Sequence, residues 1–137
     1  MAGNARESKV WQEAVTLAGD VVRMVRRATR RETKAFTDAL MLTAAAAASA
    51  IAEAPTRSST AEERECYVRA KRALVTLDTQ LAIGRNSGVV PASVHAQLSA
   101  RVAALSQRVS NAINFADRQP TSAARSPIVA LPLIADA

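Results

Sequence analysis

Cysteine, histidine, glycine and aromatic residues are all scarce in this 137-residue chain, and each scarcity removes a class of function. Cys66 is the only cysteine and His95 the only histidine, so neither an internal disulfide nor a Cys/His metal cluster can form within one chain. The four glycines, at positions 3, 19, 84 and 88, are isolated from one another, which excludes a glycine-rich phosphate loop. Aromatics make up only 3% of residues, so the core has to rest on Ala, Val and Leu. Long apolar runs are missing too. The longest uncharged stretch within one predicted helix is 39–52, 14 residues between Asp38 and Glu53, against the ~20 a membrane span needs. Residues 1–9 are polar and charged rather than signal-like. These features predict a cytoplasmic protein without membrane contact, metal or cofactor.

Charge is what the chain has in excess. Lys and Arg total 18 against 12 acids, a net charge of +6, and 15 of the 18 bases are arginine. The planar guanidinium grips phosphate at two points, which suits a nucleic-acid partner. A GC-rich genome would raise Ala and Arg together and is the competing explanation.

The length fits one domain able to bury a core. Prolines at 55, 91, 120, 127 and 132 leave helix-sized gaps. Four helices are predicted, over about 7–30, 32–54, from 60 to the Asn86-Ser-Gly88 stop, and from about 93 onward. In the first, Val10, Ala14, Leu17, Val21, Met24 and Ala28 form one stripe, and Trp11, Ala18, Val22 and Val25 a second beside it. Together they cover about half the circumference, more than the ~100° stripe of a simple surface helix. Trp11, Ala18, Val22 and Val25 are therefore expected to face another subunit. The second helix offers Phe36, Leu40, Ala44 or Ala47, and Ile51 inward, and its alanine run suits close backbone approach. Thr60-Ala-Glu-Glu63 matches a capping box at the start of the third helix. There Tyr67, Ala70, Leu74, Leu77 and Leu81 repeat at coiled-coil-like spacing, with Cys66 as a small core residue. The fourth helix aligns Leu98, Val102, Leu105, Val109, Ala112 and Ala116, with Arg101 and Arg108 on a polar flank. Short connections make these neighbours antiparallel, so the fold class is all-α, an up-down four-helix bundle spanning 7–118. Residues 1–6 are a short extension, and 119–137 a Pro-containing tail with an apolar piece at 128–134, disordered or docked on a partner.

The strongest chemical signal is six bases in 12 residues: Arg23, Arg26, Arg27, Arg30, Arg31 and Lys34, opposed only by Glu32. Were the helix to continue through them, Arg23, Arg27, Arg30 and Lys34 would form one phosphate-contacting ridge. The alternative is a solvated face whose last arginines complement the helix dipole. Arg64, Lys71 and Arg72 add bases on the third helix. Trp11 lies on an apolar face, which favours packing over base stacking. His95 lacks an acid or serine at catalytic spacing. Ser58, Ser59 and Thr60 serve a turn and a cap, and Glu62, Glu63 and Glu65 occupy a first helical turn, where the dipole favours acids. No catalytic residue emerges, and the chain is not expected to be an enzyme.

Three motifs carry a resemblance. Val10-Trp-Gln-Glu-Ala14 resembles the VWQ-x-A opening of the four-helix bundle proteins encoded within intervening sequences of 23S ribosomal RNA genes. Ala50-Ile-Ala-Glu-Ala54 followed by Arg57-Ser-Ser resembles the N-I-A-E-G … R-S end of their second helix. Ala70-Lys-Arg-Ala-Leu-Val-Thr-Leu-Asp-Thr-Gln-Leu81 resembles A-R-G-S-L-x-E-L-E-T-Q-L in their third. The fold group is similar to the accessory variability determinant proteins of diversity-generating retroelements. The resemblance covers about residues 8–117. It implies a ring-like homopentamer with a basic surface, binding of structured RNA or DNA, and, from the retroelement relatives, a reverse transcriptase partner. The chain departs from the pattern where Met41 and Leu42 replace a basic pair, where Ala48, Ala50 and Ala54 replace Pro, Asn and Gly, and where Arg72-Ala73 replaces Gly-Ser. The contact of the lost basic pair is not carried over, and Arg72 is a gain.

The function expected from these readings is a non-catalytic, homo-oligomeric, nucleic-acid-binding accessory protein. The alternative is a structural or protein-interaction module that docks a partner through its apolar tail.

Overall fold

Ser8 starts the first helix: its hydroxyl accepts the Trp11 backbone N–H at 3.2 Å and so satisfies one of the free donors of the opening turn. In the computed structural model, which describes residues 8–119, this helix is α1, Lys9–Ala28. α2 is Lys34–Glu53, α3 Thr60–Ser87 and α4 Ala92–Asp117, with single 3-10 turns at Arg31–Thr33 and Ala54–Thr56.

Each helix packs on its neighbour in sequence, and α1 closes the ring against α4. Pairs across the seams fix the directions. Glu13 and Asp20 ascend α1 while their partners Arg108 and Arg101 descend α4. Arg64, Lys71 and Asp78 ascend α3 while Asp117, Ser110 and Ser99 descend α4. The chain is an antiparallel four-helix bundle of the up-down kind.

The core follows the predicted stripes. Ala14, Leu17, Val21 and Met24 of α1 meet Leu40, Ala44, Ala47 and Ile51 of α2; both alanines left open by the sequence are buried. Leu74, Leu77 and Leu81 of α3 are fully buried, as is Val109 of α4, with Leu98, Val102 and Leu105 nearly so. Burial of one such side chain is worth ~1.5–3 kcal/mol, so this stripe dominates the favourable side of folding. Thr37, fully buried, is satisfied by the carbonyls of Thr33 and Lys34 and by the Thr29 hydroxyl at 3.1 Å.

Three local expectations change. First, α1 stops at Ala28, two residues early, because Thr29 turns into extended backbone and its hydroxyl bonds back to the Val25 carbonyl at 2.7 Å. Second, the cap of α3 is Ser59, not Thr60. The Ser59 hydroxyl accepts the Glu62 N–H, and Glu62 reaches back to the Ser58 N–H and hydroxyl. The box is shifted by one residue, and Thr60 is buried as the first helical residue. Third, Val25 is only 3% exposed and lies in the chain's own core, so it leaves the set assigned to a subunit interface. Trp11 and Ala18 are half-buried against that core, and Val22 is exposed.

Among the described residues, Arg31–Thr56 is long and apolar enough by composition to cross a membrane, although its uncharged centre is shorter than a span. Leu40, Ala44, Ala47, Ala48 and Ile51 of that segment form the inner face of a bundle helix. Predicted features at residues 1–6 and from 120 onward, including the apolar piece at 128–134, lie outside the described residues.

Candidate nucleic-acid interface

The end of α1 breaks the predicted ridge. Arg30 sits in extended backbone with φ −121° and ψ 165°, and the chain turns before Lys34 opens α2. The four bases Arg23, Arg27, Arg30 and Lys34 therefore do not form one continuous helical row. Lys34 pairs with Asp38 one turn further along α2, at 2.8 Å.

The turn creates a concave site instead. Arg23 and Arg27 from the last turns of α1, Arg30 from the connection and Arg101 from α4 line one cleft of about 710 Å3. Its floor is apolar, with Met24, Val89, Val94 and Leu98, and Thr33, Ser87 and Gln97 add neutral polar groups. The α3–α4 connection belongs to this end of the bundle because Gly88 ends α3 at φ +86°, in the left-handed region where a side chain would be strained. Pro91 then opens α4.

Asp20 is the acid of this site. Its carboxylate accepts hydrogen bonds from both Arg101 and Arg23, so it ties α4 to α1 across the cleft's edge. The Arg101 bond first, and the Arg23 bond second, hold the Asp20 carboxyl below the usual range, against a smaller opposing effect of burial. Arg27 and Arg30 make no ion pair with a carboxylate among the described residues, nor do Arg26 and Arg31. Arg26 and Arg31 are exposed but do not line the cleft.

The bases assigned on α3 divide. Arg64 pairs with Asp117 and Lys71 bonds the Ser110 hydroxyl, so both are engaged on the α3–α4 seam. Arg72 is exposed and makes no ion pair among the described residues. The sequence placed Arg101 on a polar flank of the fourth helix, a candidate phosphate contact only in reserve behind the bases of the first and third helices. The signal that could have found it is a matched spacing: Arg101 and Arg108 are seven apart, as are Glu13 and Asp20, which an antiparallel α1–α4 pairing brings face to face. Among the described residues no three His, Cys, Asp or Glu side chains gather as metal ligands.

Fold and cleft together define a helical-bundle protein whose most concentrated charge is a set of arginines at one end of the α1–α4 seam. The chain matches the 23S rRNA-intervening sequence protein family over residues 6–111 and belongs to that family. No curated protein and no solved structure matches it.

Proposed function

We propose that this protein is a non-catalytic accessory protein that binds structured RNA or DNA through phosphate contacts. The family's description ties its members to intervening sequences of 23S rRNA, which supports an RNA-associated role. The observation that carries the reading is the convergence of Arg23, Arg27, Arg30 and Arg101 on one cleft, with only Asp20 opposing them. Arg26, Arg31 and Arg72 extend the positive surface beyond it. Such charges neutralise phosphates, release condensed counterions and give binding without sequence preference.

The proposal includes homo-oligomerisation, with a pentamer as the assembly implied by the family resemblance, and a cytoplasmic setting. Exposed Val15 and Val22 on α1, beside half-buried Trp11 and Ala18, supply apolar surface for a second subunit. A reverse transcriptase is the proposed protein partner, by the same resemblance.

The test is the full-length Arg23→Gln/Arg27→Gln/Arg30→Gln variant, whose two helical replacements keep helix propensity nearly unchanged and whose third lies in the exposed connection. For the parent protein, log affinity for RNA should fall with log salt by about 0.9 per duplex phosphate neutralised. In the variant, affinity should drop about 10- to 100-fold at ~0.1 M salt and the salt slope should become shallower. Light scattering should give a mass several times 14.5 kDa for both proteins. Unchanged affinity and slope would reduce the arginines to a solvated face, and a monomer at micromolar concentration would remove the oligomer.

A further inference from the structure

The cleft holds more than charge. A duplex needs a broad positive surface to contact its phosphates, and a flat patch of arginines would serve. Here four arginines line the same cleft as the apolar side chains of Met24, Val89, Val94 and Leu98, in a volume of about 710 Å3. That volume lies within the ~300–1,000 Å3 range of pockets that enclose small organic ligands. An anion alone would have no use for the floor, and a purely apolar ligand would have none for the arginines. A ligand that fits both has a phosphate at one end and a flat, largely apolar ring at the other.

We propose that the cleft binds a single unpaired nucleotide, its phosphate held by Arg23, Arg27, Arg30 and Arg101 and its base laid on the Val94–Leu98 side of the floor. This rests on the nucleic-acid reading above and narrows it from duplex phosphate to a splayed or terminal nucleotide. The lining contains no Phe, Tyr or Trp, so the base is covered by aliphatic side chains and by guanidinium planes, which stack on bases. Gln97 presents an amide able both to donate to and to accept from a base edge. Asp20 has a defined part. In the free protein its carboxylate occupies Arg23 and Arg101, and an arriving phosphate competes with it for the same two guanidiniums. The same chemistry can come from a free mononucleotide or from an unpaired nucleotide in an RNA strand.

The test uses the full chain and fluorescence anisotropy with two RNA probes, a blunt duplex and the same duplex with a three-nucleotide overhang, at fixed salt. The overhang probe should bind at least tenfold more tightly. Val94→Phe fills the cleft without changing charge and should bring the ratio between probes to within about twofold of one. Gln97→Met, an uncharged change at an exposed position, removes the amide that meets the base edge, should also lower the ratio, and keeps the test decisive if Val94→Phe fails to fold. Adenosine monophosphate should displace the overhang probe at lower concentration than inorganic phosphate does. Displacement by the nucleotide at concentrations at or below those of the RNA itself identifies a free nucleotide as the source, whereas much tighter RNA binding identifies the strand. Equal binding of the two probes, a ratio that survives both substitutions, or equal displacement by phosphate and nucleotide would each overturn the inference. Loss of binding to both probes in the triple arginine variant, with no overhang preference in the parent, would leave the nucleic-acid reading standing and remove only the pocket. No binding of either RNA by the parent would remove both.

Discussion

The α2–α3 seam and the α1–α4 seam differ in how closely their helices pack. Between α2 and α3 lie Ala44, Ala47, Ala48 and Ile51 on one side and Ala70, Leu74, Leu77 and Leu81 on the other, all buried. Small residues let the backbones approach, and leucines fill what remains. α1 and α4 pack more loosely. They are stitched at their rims by Glu13–Arg108 at 2.9 Å and by Asp20–Arg101, and both the arginine cleft and a second hollow of about 430 Å3 lie along them. Both sides bury apolar side chains and both carry a rim ion pair, Arg69–Glu53 on the first, but the α1–α4 side packs less densely and leaves room for two clefts. Exposed pairs contribute little, ~0–1 kcal/mol each, while a buried leucine is worth several times that. Rim pairs of this kind can therefore give up their partners to a ligand without unfolding the chain.

The largest effect should come from the tight side. Leu77→Ala should lower unfolding free energy by ~2–5 kcal/mol in urea titration, through lost burial and a cavity that the neighbouring leucines fill only in part. A loss below about 1 kcal/mol would show that this seam is as yielding as the other. Gly84→Ala probes how close the approach is. A β-carbon there would lie 2.5 Å from Val90 Cγ2 and 3.4 Å from Phe36, and Val90 is buried and stiff at χ1. Destabilisation of ~1–3 kcal/mol is expected, set against the gain in helix propensity that alanine brings elsewhere. Asp20→Asn should be the mildest, because all three partners of that network are partly solvent-exposed. At neutral pH it should cost less than ~1 kcal/mol. The Asp20 carboxyl is depressed in the folded state, so its contribution is present above the ordinary carboxylate pKa and is lost as pH falls through the lowered value. The gap between parent and variant should therefore close below about pH 4, and a gap that widened on acidification would contradict the network.

How much of this was legible depends on the range of the signal. The stripes of α1, α3 and α4 were read correctly because three-and-four spacing is a property of one helix and needs no partner. The stop at Gly88 was legible for the same reason, glycine being the residue that takes a left-handed conformation without strain. Val25 was misplaced because an apolar arc half a helix wide does not say which edge its own bundle covers. The capping box slipped by one because Ser58, Ser59 and Thr60 are all competent caps, and only burial of Thr60 selects between them. In the candidate site, Arg23, Arg27 and Arg30 were legible as a dense basic run, whereas the convergence of Arg101 with them was not.

The sequence by itself determined four helices, their inward faces and a surplus of arginine, since helix formation, periodicity and composition are local or additive. Tertiary structure alone decided where that charge is concentrated. The turn at Thr29 depends on its hydroxyl meeting both the Val25 carbonyl and Thr37, and the arrival of Arg101 opposite Asp20 depends on the register in which α4 docks on α1. That register is set by interdigitating core side chains, while the arginines stand on exposed positions that no hydrophobic period constrains. Their convergence is a by-product of packing elsewhere, visible only once the helices are assembled.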